Sequence, residues 1–352
     1  MSQNMPSARA SHTKTPSYVP NSLRYKNMEY RRCGKSGILL PPLSLGLWKN
    51  FGSESDFDTC LQILHTAFDH GITHLDLANN YGPPYGSAEL TLGKAMETSL
   101  RPYRDELFIS TKAGYDMWPG PYGNWGSRKY LMASLDQSLQ RMKLDYVDLF
   151  YIHRYDPLTP LDETLQTLAD IVKAGKALYV GISRWPLTAT RYGIDYLSAR
   201  DVRCLTYQGR INLIDQKPKE EGFLTMCKER GIGFVSFSPL AQGLLSDKYL
   251  NGNIPPHSRM ALGQTLKEES LTPPTLQRLQ QLNTWAKAHD MSLSALALRW
   301  VLSQTGVTSA IVGVSSAEQL IQNITAATLP PLTEGELNEI DQITQQTPLH
   351  TS

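Results

Sequence analysis

The chain has 352 residues, of which 41% are hydrophobic, and its formal net charge is +1. This length suits one large α/β barrel or two ordinary domains, and the apolar content is ample for a globular core. Its 34 basic and 33 acidic residues are interspersed, which disfavours nucleic acid or a membrane surface as an electrostatic partner. No apolar run approaches the length of a membrane span, so we expect no membrane insertion.

The chain ends and the cysteines define the expected domain and compartment. Residues 1–27 are rich in Ser, Asn, Pro and Arg and lack an apolar signal core, which predicts a disordered N-terminal tail. The folded domain is predicted at 28–346 and a flexible C-terminus at 347–352. Absence of a C-x-x-C pair or metal spacing predicts reduced thiols in a cytoplasmic protein. The cysteines are Cys33, Cys60, Cys204 and Cys227.

From residue 39 onward, short apolar strands alternate with amphipathic helical segments. Strands are predicted at 43–47, 73–78, 107–113, 147–153, 177–183, 204–208, 233–239 and 310–314. Helices are predicted near 54–70, 87–97, 128–142, 161–173, 189–199, 219–230, 274–289, 292–303 and 317–326. This alternation predicts a (β/α)8 TIM barrel, a parallel eight-stranded barrel with extra helices and a C-terminal helical tail. A doubly wound open sheet is the alternative, but G-x-G-x-x-G is absent after the first strand.

The second predicted strand carries a carboxylate at its end. Side chains alternate along a strand, so His74, Asp76 and Ala78 share one face. Tyr81 follows in a loop that Gly82 allows to turn sharply. A buried aspartate needs a cation or hydrogen-bond donors to remain charged, so another part of the chain must supply the partner for Asp76.

The third and fourth predicted strands end in Lys112 and His153. Neighbouring parallel strands lie ~4.8 Å apart, and barrel chemistry occurs at their C-terminal ends, so both side chains should converge on Asp76. An ammonium beside a phenol lowers the phenol's pKa, which would make Tyr81 a general acid, while His153 would position a carbonyl oxygen. These parts suit reduction of an aldehyde or ketone with hydride from a nicotinamide or flavin.

Each of these residues also has a structural interpretation when it is taken alone. Lys112 could be a solvated strand-end lysine, Tyr81 a rim tyrosine and His153 a hydrogen-bonded core histidine. Their joint occurrence at successive strand ends favours a catalytic cluster. His74, deeper on the same face, is interpreted as structural. No His, Asp and Glu cluster offers a ligand set, so no metal is expected and a metal-dependent hydrolase is disfavoured.

Several motifs resemble those of the aldo-keto reductase superfamily. They are Leu45-Gly-Leu-Trp48, Asp76-Leu-Ala-Asn-Asn-Tyr81-Gly, Ser110-Thr-Lys112, Tyr146-Val-Asp-Leu-Phe-Tyr-Ile-His153, Gly181-Ile-Ser183, Ser238-Pro-Leu-Ala-Gln-Gly243 and Ile311-Val-Gly-Val-Ser315. The resemblance implies a catalytic tetrad of Asp76, Tyr81, Lys112 and His153, with NADP(H) across the barrel mouth. It is strongest to bacterial L-glyceraldehyde 3-phosphate reductases and to voltage-gated potassium channel β-subunits. From such relatives alone, a homo-oligomer (tetramer or octamer) is expected.

The resemblance and side-chain chemistry together indicate a cofactor site. Ser183 and Gln208 can bind a carboxamide, and Phe237 corresponds to the aromatic residue that stacks on the nicotinamide. A guanidinium fork suits a phosphate, so Arg259 is expected at the adenosine 2′-phosphate; the neutral Gln322 favours NADP over NAD. The expected cofactor-binding residues are Gly46, Trp48, Asp76, Tyr81, Ser183, Arg184, Gln208, Phe237, Ser238, Pro239, Leu240, Ala241, Gln242, Gly243, Lys248, Arg259, Gly313, Ser315, Gln319, Gln322 and Asn323.

Aromatic and cationic residues around the predicted mouth indicate a substrate cleft for small aldehydes. The expected substrate-binding residues are Trp48, Tyr81, Trp118, His153, Arg154, Arg184 and Trp185. The predicted function is NADPH-dependent reduction of aldehydes such as glyceraldehyde, its 3-phosphate or methylglyoxal, the last implying a role in detoxification. The alternative is an NADP-binding regulatory or sensor subunit with slow reductase activity. The channel subunits carry asparagine where this chain has His153, so this histidine favours a working reductase.

Overall fold

The eight predicted strands form a closed, all-parallel barrel in the computed structural model, which describes residues 18–256, 258–263 and 266–345. A short antiparallel hairpin precedes it, made of β1 (Arg31–Arg32) and β2 (Leu39–Leu40). The barrel strands are β3 (Leu43–Gly46), β4 (His74–Asp76), β5 (Phe108–Ala113), β6 (Val147–Ile152), β7 (Ala177–Ser183), β8 (Cys204–Arg210), β9 (Gly233–Phe237) and β10 (Val307–Val312). They follow chain order, and β10 closes the barrel on β3. The predicted (β/α)8 fold is confirmed.

Helices surround the barrel, with the extra helix and the C-terminal helix where the sequence predicted them. The α-helices are α1 (Phe57–Asp69), α2 (Ser87–Ala95), α3 (Arg128–Met142), α4 (Leu161–Lys173), α5 (Leu187–Ser198), α6 (Lys217–Glu220), α7 (Phe223–Arg230), α8 (Pro273–Ala288), α9 (Leu293–Ser303), α10 (Ala317–Ala327) and α11 (Glu334–Gln345). A π-helical turn covers Met96–Leu100, and 3-10 turns cover Arg101–Glu106, Ala241–Gly243, Asp247–Tyr249 and Glu268–Ser270. Among the described residues, no helix is both long and apolar enough to span a bilayer.

Local sequence explains where several helices begin and end. Asp56 and Ser316 accept hydrogen bonds from the backbone N–H of Thr59 and Gln319, so they cap α1 and α10. The single helix predicted at 219–230 is divided into α6 and α7, because Gly222 adopts a left-handed conformation with φ of 85°.

The interior of the barrel holds its own apolar core, separate from the larger core between barrel and helices. The hairpin β1–β2 closes the end opposite the strand C-termini, and its Cys33 and Leu40 pack into the interior. The remaining buried members of this core are Leu149, Tyr151, Leu205, Val235 and Ile311. Tyr151 is fully buried and fits beside Gly181, where a Cβ would lie only 2.4 Å from its Cε1. The lower barrel is therefore a packed floor under the strand C-termini.

The predicted N-terminal tail requires a correction where it can be observed. Residues 1–17 lie outside the described residues, but residues 18–27 pack against the barrel helices. The Tyr18 ring stacks on His65 with centroids 3.6 Å apart, and its hydroxyl donates to Asp69 Oδ1 at 2.8 Å. Arg24 Nη2 lies 2.5 Å from Glu106 Oε2. The polar composition of this segment gave no indication of these contacts. At the other end of the chain, the predictions for residues 346–352 fall outside the described residues.

Gly181→Ala should destabilise the protein, because the added Cβ has no room beside the Tyr151 ring. Overpacking of this kind costs about 1–3 kcal/mol of unfolding free energy. Urea denaturation would measure the change. Gly37→Ala is the control, since a Cβ there meets nothing within 4 Å and needs no positive φ. Equal stability of Gly181→Ala and wild type would contradict the packing around Tyr151.

Candidate active site

A buried ion pair lies at the C-terminal ends of β4 and β5. The strand register sets Asp76 beside Ser110, and Lys112 is one inward-facing position further along β5. Lys112 Nζ lies 2.5 Å from Asp76 Oδ2 and also donates to Leu77 O at 2.7 Å. Neither residue is more than 2% exposed. Charges buried this deeply must be paired, so each of the two residues requires the other.

Asp76 is held from its other oxygen as well. Oδ1 accepts from Ser110 Oγ at 2.9 Å and from Gln208 Nε2 at 3.0 Å. The carboxylate thus receives donors from β5 and β8 in addition to the ammonium. Hydrogen bonds from several elements fix the orientation of this carboxylate.

Tyr81 completes the cluster from the loop after β4. Its hydroxyl oxygen lies 3.2 Å from Lys112 Nζ, which donates to it. Burial raises the pKa of Tyr81 well above its ordinary value, and the nearby Asp76 charge acts in the same direction. The lowering of this pKa that was expected from Lys112 is therefore outweighed by burial and by Asp76. Tyr81 keeps its proton at neutral pH, beside a cation that can stabilise the phenolate once the proton leaves.

His153 follows the end of β6 and faces the same cluster. Its ring centroid is 5.9 Å from that of Tyr81 and 4.7 Å from that of Tyr115, edge-on in both cases. Burial, followed by the charges of Lys112 and Arg184, holds the pKa of His153 well below its usual range, so the imidazole is neutral. Among the described residues its Nδ1 has no hydrogen-bond partner although it is buried. A neutral imidazole with a nitrogen unpaired in this way is suited to a ligand's polar atom.

The residues expected at a nicotinamide lie beside the cluster. Ser183 Oγ donates to Gln208 O at 3.0 Å, and Gln208 in turn contacts Asp76, so β7 and β8 are tied to the acid site. The Arg184 guanidinium carbon lies 6.0 Å from the Phe237 ring centroid. Hydrogen-bonding groups and a partly buried aromatic ring are therefore within one region at the barrel mouth.

The loop at 238–243 has an unusual backbone. Ser238, Ala241 and Gln242 have φ of 53°, 46° and 60°, a left-handed conformation that is uncommon outside glycine and concentrates at ligand-binding loops. Gln242 Oε1 and Asn323 Nδ2 are buried without a hydrogen-bond partner among the described residues. Since unpaired buried polar atoms are costly, this region fits a polar ligand such as a dinucleotide.

Arg259 reaches the same region from the long segment after β9. Its guanidinium carbon lies 5.8 Å from the Trp48 ring centroid, and its Nη2 would be 3.7 Å from a Cβ at Gly313. Gly46 has no room for a Cβ, which would lie 2.6 Å from Ile311 Cγ2. Three expected cofactor residues, from β3, the segment after β9 and the end of β10, therefore lie around Trp48.

The other expected cofactor residues form the outer part of this region. Gln319 Oε1 accepts from Ser315 N at 3.0 Å at the start of α10. Lys248 and Gln322 are exposed, the former on a 3-10 turn. Pro239 is buried, whereas Leu240 and Gly243 are partly exposed. Helix α10 begins at Ala317, shortly after β10 ends at the mouth, and the N-terminus of a helix favours anions.

Three of the expected substrate-binding residues already pack against other parts of the protein. Trp118 is partly buried and packs on Tyr130 with ring centroids 5.2 Å apart. The guanidinium carbon of Arg154 lies 3.7 Å from the ring centroid of Trp125 and 4.3 Å from that of Tyr115, so this side chain is held between two aromatic rings. Trp185, expected at the cleft, is only 2% exposed and packs in the larger core between barrel and helices. Its ring therefore has little surface for a substrate.

Comparison with known proteins identifies the family of this chain. The model of the Aldo/keto reductase family matches residues 42–345, which include every part of the site described above. The chain belongs to the aldo/keto reductase family.

Several curated aldo/keto reductase relatives match almost the whole chain. The L-glyceraldehyde 3-phosphate reductases of Escherichia coli O157:H7 and strain K12 are 50% and 49% identical over 329 residues, covering 92% of this chain and 95% of theirs. The probable voltage-gated potassium channel subunit beta of Arabidopsis thaliana is 34% identical over 329 residues, covering 91% of this chain and 98% of its own. This aldo/keto reductase is thus an oxidoreductase with near full-length similarity to both groups.

Sequence reasoning missed two residues of the site. Ser110 belongs to one of the motifs of the sequence, but no role was predicted for it. It lies two residues before Lys112 and therefore on the same strand face. Tyr115, which packs against both His153 and Arg154, follows Gly114 in an irregular loop. Strand alternation could have indicated Ser110, whereas nothing in the sequence indicated Tyr115. Among the described residues, no group of three His, Cys, Asp or Glu could hold a metal ion.

Lys112→Met should destabilise this aldo/keto reductase strongly, because Asp76 would remain buried without its cation. Breaking a buried pair from one side costs about 3–5 kcal/mol of unfolding free energy. The double variant Asp76→Asn with Lys112→Met removes both charges and should recover part of that loss. Urea denaturation of the single variants Asp76→Asn and Lys112→Met and of the double variant would test this. A loss of stability in the double variant equal to the sum of the two single losses would contradict mutual pairing.

Proposed function

We propose that this aldo/keto reductase reduces small aldehydes to alcohols with NADPH, and that Tyr81 protonates the carbonyl oxygen. The observation that carries the proposal is the buried contact series from Asp76 through Lys112 to the Tyr81 hydroxyl, with distances of 2.5 and 3.2 Å. No other described cluster combines a protonated acid, a buried cation and an unpaired neutral imidazole at the barrel mouth.

Proton donation follows from the charges around Tyr81. The nicotinamide, when bound, supplies the hydride that the side chains cannot. Burial keeps Tyr81 protonated until an alkoxide, a stronger base than a phenolate, develops beside it. Lys112 then stabilises the phenolate oxygen that remains, and Asp76 keeps Lys112 charged and oriented. General-acid catalysis of this kind accelerates a reaction by about 10²–10⁴-fold.

His153 would orient the carbonyl oxygen. Its unpaired Nδ1 and its edge-on position beside Tyr81 support a hydrogen bond to that oxygen. Because the imidazole is neutral, it adds no further cation next to Lys112. Polarisation of the carbonyl is then provided by hydrogen bonding at a water-poor site.

The NADPH assignment depends on residues at the outer part of the mouth. Ser183 and Gln208 would hold the carboxamide, and the 238–243 loop would bind the pyrophosphate through backbone N–H groups. Arg259 offers a guanidinium for the 2′-phosphate, and Gln322 adds no negative charge against it. The exposed Lys248 would add a further cation.

Short aldehydes, including a phosphorylated one, suit the side chains at the barrel mouth. The names of the E. coli relatives specify L-glyceraldehyde 3-phosphate, and Arg184 is an exposed cation near Phe237. The charge of Arg154 acts on His153, although an aromatic ring fixes the position of this side chain. Trp48 and Trp118 supply the apolar walls that a small dicarbonyl such as methylglyoxal would contact.

A substrate panel tests the proposal directly. DL-glyceraldehyde, its 3-phosphate and methylglyoxal should each be assayed with NADPH and with NADH by loss of absorbance of the reduced cofactor. We expect turnover with at least one aldehyde, and a higher kcat/KM with NADPH than with NADH. Absence of NADPH oxidation with all three, despite NADPH binding, would favour the regulatory alternative suggested by similarity to the channel subunits.

Tyr81→Phe should lower kcat by at least about 10²-fold, because the proton donor is lost while the aromatic ring remains. NADPH binding, followed by quenching of tryptophan fluorescence, should be retained. Tyr85→Phe is the matched control, since this tyrosine lies in the same loop and is 60% exposed. Reduction by Tyr81→Phe at the wild-type rate would disprove the general-acid role.

A further inference from the structure

A row of buried polar side chains crosses the barrel beneath the catalytic cluster. Ser309 Oγ of β10 lies 2.6 Å from Ser44 Oγ of β3, which lies 2.7 Å from His74 Nδ1 of β4. His74 Nε2 then lies 3.0 Å from Ser110 Oγ of β5, the residue that donates to Asp76 Oδ1. Ser309, Ser44, His74 and Ser110 are each 0% exposed. The row is therefore continuous and shielded from water.

The chemistry of the groups determines the direction of every hydrogen bond in this row. Paired with Lys112, the Asp76 carboxylate can only accept, so the single hydroxyl hydrogen of Ser110 is directed to it. His74 must then donate from Nε2 to Ser110. Burial lowers the pKa of His74 to about 4, so the ring is neutral and its Nδ1 accepts from Ser44. Ser44 in turn accepts from Ser309.

We propose that His74 is a positioning residue for catalysis: as the neutral Nε2–H tautomer, it orients the Ser110 hydroxyl toward Asp76 and thereby holds the Asp76–Lys112 pair in its active arrangement. This inference rests on the proposed roles of Asp76, Lys112 and Tyr81. It assigns a function to a residue that alternation along β4 alone would assign only to the core.

Directionality explains why an imidazole is suited to this position. A neutral histidine accepts on one ring nitrogen and donates on the other. When Ser44 donates to Nδ1 of His74, Nε2 must therefore donate to Ser110. Hydrogen bonds aligned in one direction polarise one another, and each strengthens the next in a low-dielectric interior. The charged groups acting on His74 are Asp76 and Lys112, and the Phe108 ring packs edge-on against it with centroids 5.3 Å apart.

Variants along the row test the inference through kcat, KM and rescue by a conservative substitution. His74→Leu and Ser110→Ala should each lower kcat roughly tenfold, the scale of one lost hydrogen bond to a charged group, with KM little changed. His74→Gln keeps an N–H at the position of Nε2 and should recover most of kcat.

A double variant separates positioning from packing. If His74 acts through Ser110, His74→Leu combined with Ser110→Ala should lower kcat no more than either change alone. Independent effects would multiply to roughly a hundredfold loss, and that outcome would overturn the inference. An unchanged kcat of His74→Leu accompanied only by a lower melting temperature would also overturn it, since this would identify His74 as a packing residue.

The tautomer can be observed without any variant or turnover. In ¹⁵N-histidine-labelled protein, long-range ¹H–¹⁵N spectra should show His74 neutral, with its proton on Nε2, at pH 7. An Nδ1–H tautomer would reverse the bond to Ser110, and an imidazolium would reverse the bond to Ser44; either result would disprove the inference. Absence of wild-type turnover in the substrate panel would instead count against the proposed function, so the two failures are distinguishable.

Discussion

The buried pair of Asp76 and Lys112 is the constraint on which the rest of the site depends. Two opposite charges buried at the ends of adjacent strands are stable only if the two groups lie close together and their remaining hydrogen-bonding positions are occupied. Ser110, Gln208 and the Leu77 carbonyl occupy these positions. The barrel provides this because parallel strands bring residues distant in the chain to one end at a fixed spacing. The fold is therefore the means by which a charge pair can exist in an apolar interior.

Tyr81 illustrates how burial and charge act in opposite directions. From the sequence, a nearby lysine was expected to lower the pKa of its phenol. In the structure, burial and Asp76 raise that pKa instead. These effects do not conflict in the proposed reduction, in which Tyr81 would retain its proton before hydride transfer and release it afterwards. Lys112 would then contribute mainly after proton transfer, when the phenolate carries the charge.

The fold and the convergence of Asp76, Lys112 and His153 were predictable for a common physical reason. Strand alternation and the succession of strands and helices are local signals, and parallel pairing follows from their order. Side-chain packing is not local. The burial of Trp185, the aromatic clamp on Arg154 and the docking of residues 18–27 depend on surfaces contributed by remote segments. No periodicity in the sequence reports these contacts.

The sequence by itself determined the barrel, the four residues at its mouth and the need for a hydride donor, because these follow from residue types and their spacing along strands. Only the tertiary structure decided how each group is charged and bonded. The neutrality of His153, the protonation of Tyr81 and the single hydrogen-bond direction through His74 arise from desolvation and from partners on other strands. Burial and hydrogen-bond geometry exist only after the strands have closed into a barrel, which is why they could not be derived from the sequence.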